Sequence, residues 1–79
     1  MNDIIVYTQN DCPPCQIIKM FLKEFGFSYT EKNISINDKS KQELTQTYNS
    51  YSTPTIIIGD EVITGFDLER LKKALDIQD

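Results

Sequence analysis

The chain has no histidine, and only two cysteines stand among its 79 residues. Those scarcities exclude a good deal of chemistry. A structural zinc site takes four protein ligands, and two thiols without imidazole supply half of one. With no histidine, imidazole is also ruled out as a general base. Basic residues are not in excess: eight lysines and arginines face twelve acids, a net charge of −4. That balance argues against nucleic acid or an anionic membrane as a partner. No apolar run approaches the length needed to span a bilayer. Low-complexity tracts, internal repeats and linkers are missing too, and the length suits one domain, residues 1–79, with a modest core. Met1-Asn2-Asp3 offers no basic region ahead of an apolar core, so no signal peptide is expected. The expected location is the cytoplasm, where a lone cysteine pair is more often catalytic or metal-binding than a structural staple.

What is present is organised around Cys12-Pro13-Pro14-Cys15. Asp3 to Thr8 reads as a short buried strand, continuous and β-branched at Ile4, Ile5 and Val6. After the polar turn Gln9-Asn10-Asp11, a helix is expected from Pro13 to Phe25, since proline is tolerated in a first turn where its missing amide would have no partner. Ile17, Ile18, Phe21, Leu22 and Phe25 fall on one face of it. Gly26 reads as a left-handed stop, with Phe27 folding back on the last turn. Phe27 to Ile34 reads as a second strand with one wetter face, which completes a parallel, right-handed βαβ unit. Ser40-x-x-Glu43 fits a capping box for a second helix, Lys41 to Asn49, with a thin apolar face at Leu44 and Tyr48. Thr55–Ile58 and Val62–Thr64 flank Gly59-Asp60, a two-residue hairpin turn of the II′ type, so the sheet must be mixed. Asp67 is placed to cap a last helix carrying Leu68, Leu71 and Leu75. The order is βαβαββα.

A C-x-x-C between a strand and a helix reads as a dithiol/disulfide redox centre. Cys12 falls at the N-cap and Cys15 inside the first turn, so both sulfurs share one helix end. Free amides and the positive end of the dipole favour thiolate at Cys12, below the usual value of about 8.5. Only the thiolate attacks a disulfide, so Cys12 is expected to attack and Cys15 to displace the reduced product. Pro13 and Pro14 limit the loop, and because a residue before proline resists helical angles, Pro13 is expected to hold it slightly open. Asp11 disfavours the thiolate by like charge, and Lys19 favours it if its ammonium folds back toward the cap. The bland alternative is half of an intermolecular zinc site.

Two further features carry two readings each. Thr53-Pro54-Thr55 is either a proline opening an edge strand or a functional cis-proline. Gly65-Phe66-Asp67 is a turn glycine, a core aromatic and an N-cap, or else part of a carboxylate-binding helix start.

Together, Val6-Tyr7-Thr8, Cys12-Pro13-Pro14-Cys15 with Lys19, Thr53-Pro54-Thr55 and Thr64-Gly65-Phe66-Asp67-Leu68 resemble a glutaredoxin-like member of the thioredoxin superfamily. The resemblance covers essentially the whole chain. It implies an α/β, thioredoxin-like fold with a four-stranded mixed sheet flanked by helices. It implies that Cys12 is the exposed nucleophile, that Cys15 resolves, and that Pro54 is cis against the sulfurs. It further implies that the Thr53 backbone pairs with the peptide being reduced, and that Gly65 and Asp67 lie where the family holds the γ-glutamyl end of glutathione. Phe66 belongs to the same binding segment. Three positions depart from the pattern. Glutaredoxins usually carry lysine where this chain has Gln9, often tyrosine at Pro14, and a second glycine at Thr64. A related group, the redoxins that serve ribonucleotide reductase, takes electrons from thioredoxin reductase instead. The Gly65-Phe66 pair leans toward that group, whose usual tryptophan before Ser-Gly-Phe is missing here.

The function expected is a monomeric thiol–disulfide oxidoreductase with no bound cofactor and no metal. Its partners are disulfide-containing clients, with glutathione or thioredoxin reductase as the electron source. An iron–sulfur or metal carrier dimer and a non-catalytic redox adaptor are the competing classes.

Overall fold

A computed structural model describes residues 3–77. The elements are β1 (Ile4–Thr8), α1 (Pro13–Glu24), β2 (Thr30–Asn33), α2 (Asp38–Gln42) running into a π-helical turn (Glu43–Thr47), β3 (Thr55–Ile58), β4 (Glu61–Thr64) and α3 (Leu68–Ala74). The four strands form one sheet in the order β2-β1-β3-β4. β1 runs parallel to β2 and antiparallel to β3, and β3 is antiparallel to β4, so the sheet is mixed as expected.

Register explains why β1 is a continuous apolar run. Val6 lies opposite Ile56, and Ile56 opposite Ile63, on the face that packs against Ile18, Leu22 and Leu71 of α1 and α3. The alternate residues, Tyr7 and Ile57, face Leu44 and Tyr48 from the other side. A central strand covered on both faces needs no polar alternation.

α1 begins at Pro13 with Cys12 as its N-cap, at φ −120° and ψ 88°. Pro13 is thus helical, and the slightly open loop expected there is absent. Cys12, before Pro13, satisfies the pre-proline restriction through its non-helical cap conformation, whereas Pro13, before Pro14, is helical despite it. The helix ends as expected. Gly26 has φ 78°, its amide donates to the Lys23 carbonyl, and the Phe27 amide donates to the Leu22 carbonyl, the paired bonds of a Schellman stop. The apolar face is narrower than the five residues suggested. Cys15, Ile18 and Leu22 are buried, whereas Ile17 and Phe25 stay 48% and 47% exposed. At 100° per residue, Ile17 sits about 100° from Ile18 and off the buried row, whereas Phe25 is in line with it but is the C-cap, past the last helical residue.

The second strand and second helix need correction. β2 is four residues long, because Phe27 is taken up by the helix stop, and only the Ile34 amide continues toward β1, donating to the Thr8 carbonyl at 2.8 Å. The cap of α2 is not Ser40. It is Asn37, whose side-chain oxygen accepts from the Ser40 amide at 2.9 Å, so the helix starts three residues before Lys41. Ser40 is buried in the first turn. Glu43, released from any capping role, instead accepts from the Tyr7 hydroxyl at 2.8 Å and from Lys32 Nζ at 2.7 Å. That clasp seats the π-helical turn on the sheet and brings Leu44 and Tyr48 down together.

Lys32 and then Tyr7, by donating to it, hold the Glu43 carboxyl below its ordinary value of 4.5. A carboxyl depressed on folding stabilises the fold above its unfolded value, and that contribution disappears as pH falls through the lower folded value. Stability is therefore expected to drop below about pH 4.5, and Glu43→Gln should flatten that limb. Urea midpoints between pH 3 and 6 test this, and an unchanged acid limb in Glu43→Gln would assign the drop to other carboxylates. The side chain is 36% exposed, so solvent screening keeps the effect small.

The hairpin joins Ile58 and Glu61 through Gly59 (φ 58°) and Asp60, the positive φ falling on the first turn residue as the II′ form requires. The Asp67 carboxylate caps α3, accepting from the Arg70 amide at 3.0 Å.

Candidate active site

Every functional segment ends at one edge of the sheet. The C-terminal ends of β1, β2 and β4 and the N-terminal end of antiparallel β3 all meet there. β1 delivers the chain through Gln9-Asn10-Asp11 to Cys12. Asp11 takes φ 56°, a left-handed conformation that aspartate tolerates better than most residues. The turn is tied to the loop after β2. The Asn10 amide donates to Ser35 Oγ at 2.9 Å, Asn33 Nδ2 donates to the Asn10 side-chain oxygen at 3.1 Å, and the Ser35 amide donates to Asn33 Oδ1 at 2.8 Å.

Cys12 and Cys15 are joined as a disulfide, with Cα atoms 5.2 Å apart. Their surroundings differ. Cys12 Sγ accepts from the Cys15 amide at 3.2 Å and from the Thr53 hydroxyl at 3.7 Å. Cys12 keeps 6% of its surface accessible and Cys15 keeps none. The resemblance implied an exposed Cys12; in the disulfide form it is buried and only the more accessible of the two cysteines. A thiolate at Cys12 would inherit both donors and the helix dipole, three effects of one sign.

The Thr53-Pro54 peptide bond is cis, and Pro54 is buried. Gly65 joins the same cluster: its amide donates to the Pro54 carbonyl at 3.0 Å, with φ 77°. Phe66 follows, half exposed, and then Asp67, whose carboxylate is engaged in capping α3. The structure therefore gathers Cys12, Cys15, Thr53, Pro54 and Gly65, and sets Phe66 and Asp67 beside them in the chain. Lys19 stands apart from the expected role. Its Nζ pairs with Glu31 at 3.1 Å instead of turning back to the cap. Glu31 also accepts from the buried Thr8 hydroxyl at 2.8 Å; this bond, and then Lys19, hold its carboxyl below the ordinary range.

Two contributors escaped the sequence reading. The Thr53 side chain was not expected to reach Cys12, and the Asn10–Asn33–Ser35 clasp spans segments 23 to 25 residues apart. A run of hydroxyl residues around Pro54 was the visible signal for the first. Nothing local signals the second.

A four-stranded thioredoxin-like fold with a C-x-x-C disulfide at the start of its first helix defines a thiol–disulfide redox protein. The family model described as Glutaredoxin matches residues 4–63. The thioredoxin-like protein BC3987, in its T8A mutant form, is 44% identical over 99% of this chain and 100% of that one, with a TM-score of 0.93. The glutaredoxin-like protein NrdH-redoxin of Escherichia coli, described as having a thioredoxin-like activity profile, is 25% identical over 90% and 92% of the two chains, TM-score 0.80. A glutaredoxin-like 8.6 kDa protein of the rubredoxin operon in Clostridium pasteurianum is 25% identical over 92% of this chain and 97% of its own. The chain belongs to the glutaredoxin family, and its activity class is thiol–disulfide oxidoreduction through the Cys12–Cys15 pair.

Proposed function

We propose that this protein carries electron pairs to protein disulfides, with Cys12 as nucleophile and Cys15 as resolving thiol, and that a thioredoxin-reductase-type flavoenzyme recharges it. The asymmetry between the two sulfurs carries the assignment. Cys12 Sγ has two hydrogen-bond donors and the accessible surface, while Cys15 is sealed. In the reduced protein the Cys12 thiolate attacks one sulfur of a client disulfide, forming a mixed disulfide and releasing the first client thiolate. Cys15 loses its proton and attacks Cys12 Sγ, which expels the second client thiolate and closes the Cys12–Cys15 bond. Two electrons have passed to the client, and the protein is oxidised. The clients would be proteins of a reducing compartment, the cytoplasm.

Recharging by a reductase is favoured over glutathione at two positions. Gln9, on the loop before Cys12, cannot offer the positive charge that meets the glycyl carboxylate of glutathione in the wider family. Asp67 already accepts from the Arg70 amide. The thioredoxin-like profile ascribed to the NrdH-redoxin relative points the same way. The test is a pair of NADPH-consumption assays on one disulfide substrate, with thioredoxin reductase alone and with glutathione plus glutathione reductase. Faster turnover with the first is expected, and efficient turnover only with the second would overturn the assignment of reductant. Visible absorbance from a bound iron–sulfur cluster in freshly purified protein would favour the carrier-dimer class instead.

A further inference from the structure

We propose that the buried hydroxyls of Ser50 and Thr55 are positioning groups that aim the Thr53 side chain at Cys12. Ser50 is 3% exposed and Thr55 not at all. Thr55 Oγ1 lies 2.7 Å from the Ser52 carbonyl oxygen, and Ser50 Oγ lies 2.8 Å from Thr55 Oγ1. The direction of these bonds follows from counting protons. A carbonyl oxygen only accepts, and a hydroxyl has one proton to give. Thr55 therefore donates to Ser52, and Ser50 must be the donor to Thr55. The longer contact from Ser50 Oγ to the same Ser52 carbonyl, at 3.4 Å, competes for the one Ser50 proton and is the weaker of the two. The result is a directed relay, Ser50 hydroxyl to Thr55 hydroxyl to Ser52 carbonyl.

Both ends of the relay are anchored. The Ser50 amide donates to the Leu44 carbonyl at 3.0 Å, which fixes it to the end of the π-helical turn. Thr55 is the first residue of β3, paired with Tyr7 on one side and Thr64 on the other. Between them the relay holds the carbonyl of Ser52, and the Gly65 amide holds the carbonyl of Pro54 at 3.0 Å. Thr53 is the residue caught between these two held carbonyls, and its hydroxyl is the one that reaches Cys12 Sγ. At 3.7 Å that bond has little slack, so a shift of a few tenths of an ångström in the turn weakens it.

The residue type at position 55 supports a role beyond filling space. The rest of β3 is Ile56-Ile57-Ile58, and valine would have the shape of threonine there. A fully buried hydroxyl costs free energy unless it is hydrogen-bonded, and valine could not make the bonds that satisfy the Thr55 oxygen, to the Ser52 carbonyl and from Ser50. Those bonds fix the turn beneath the attacking sulfur. The inference rests on the reading that Thr53 supports a Cys12 thiolate.

Alkylation of reduced Cys12 by iodoacetamide across pH, in full-length protein carrying Cys15→Ser, tests it. Thr53→Val should move the midpoint up, slowing alkylation below it by roughly tenfold, the low end of what one hydrogen bond to a charged acceptor is worth. Thr55→Val should reproduce that shift, Thr55→Ser should restore the parent midpoint, and the Thr53→Val/Thr55→Val double variant should shift no further than either single one. Ser50→Ala should move it the same way by less, and serves as the test if Thr55→Val fails to fold by circular dichroism. A shift with Thr53→Val and none with Thr55→Val and Ser50→Ala would sink the relay and leave Thr53 in place. No shift with Thr53→Val would sink the Thr53 reading itself, and additive shifts would show two independent effects.

Discussion

Cys12→Ser is expected to lose disulfide reduction to background, whereas Cys15→Ser should stop half-way, trapped as a mixed disulfide with its client. The difference follows from which sulfur the structure equips. The Cys15 amide, the Thr53 hydroxyl and the start of α1 all converge on Cys12 Sγ, and each stabilises negative charge there. Serine at position 12 would keep the donors but offer a hydroxyl that does not ionise in the working range and forms no bond to sulfur. Serine at position 15 leaves attack intact and removes only resolution. A one-thiol reaction with small glutathionylated substrates should then survive, because a second small thiol can replace Cys15 from solution. Mass spectrometry of the Cys15→Ser variant after incubation with an oxidised client should show the adduct, and Cys12→Ser should show none. The reverse pattern would move the attack to Cys15, and full activity in Cys12→Ser would end the dithiol mechanism altogether.

How much of this was legible beforehand depends on how local each feature is. The Gly26 stop, the Gly59 hairpin turn and the Asp67 cap each rest on two to five consecutive residues, and each appears in the structure as read. The start of α2 lies three residues before the expected one because Asn37, and not Ser40, caps it. Ser40 and Asn37 both have the right chemistry, and the choice was settled by Glu43, which Tyr7 and Lys32 draw to the sheet from 36 and 11 residues away. A capping-box pattern cannot register that competition. The same limit explains Lys19. One helical turn from Cys15 it was a fair candidate to tune the thiolate, but Glu31, twelve residues on, takes its ammonium. For the dithiol itself, spacing located the cysteine pair, and the order of action stays the expectation that the serine variants test. The Thr53 hydroxyl, 41 residues from Cys12, entered only when the sheet brought β3 beside β1.

Ile56→Ala is expected to destabilise the fold severely. Ile56 is fully buried, lies between Val6 and Ile63 in the sheet, and packs in the cluster that Ile18, Leu22 and Leu71 complete. Truncating a core isoleucine to alanine typically costs about 2–5 kcal/mol, against a total of about 5–15 kcal/mol for a native domain. Ile56→Val should cost only about 0.5–1.5 kcal/mol, which separates lost volume from any disturbance of the strand. The disulfide offers little insurance. It encloses two residues, and loop entropy assigns so short a closure about 2 kcal/mol at most. The core must therefore hold the fold in the reduced state, when the disulfide is open. Urea unfolding of oxidised and reduced protein should show Ile56→Ala lowering both midpoints by similar amounts, since the cysteines are not members of the Ile56 cluster and distant effects add. A loss under about 0.5 kcal/mol would contradict this placement of the core. A loss confined to the oxidised form would mean that the disulfide and the sheet are coupled. Strand β3 serves both core and site: Ile56 anchors the sheet, and Thr55 beside it closes the turn that faces Cys12.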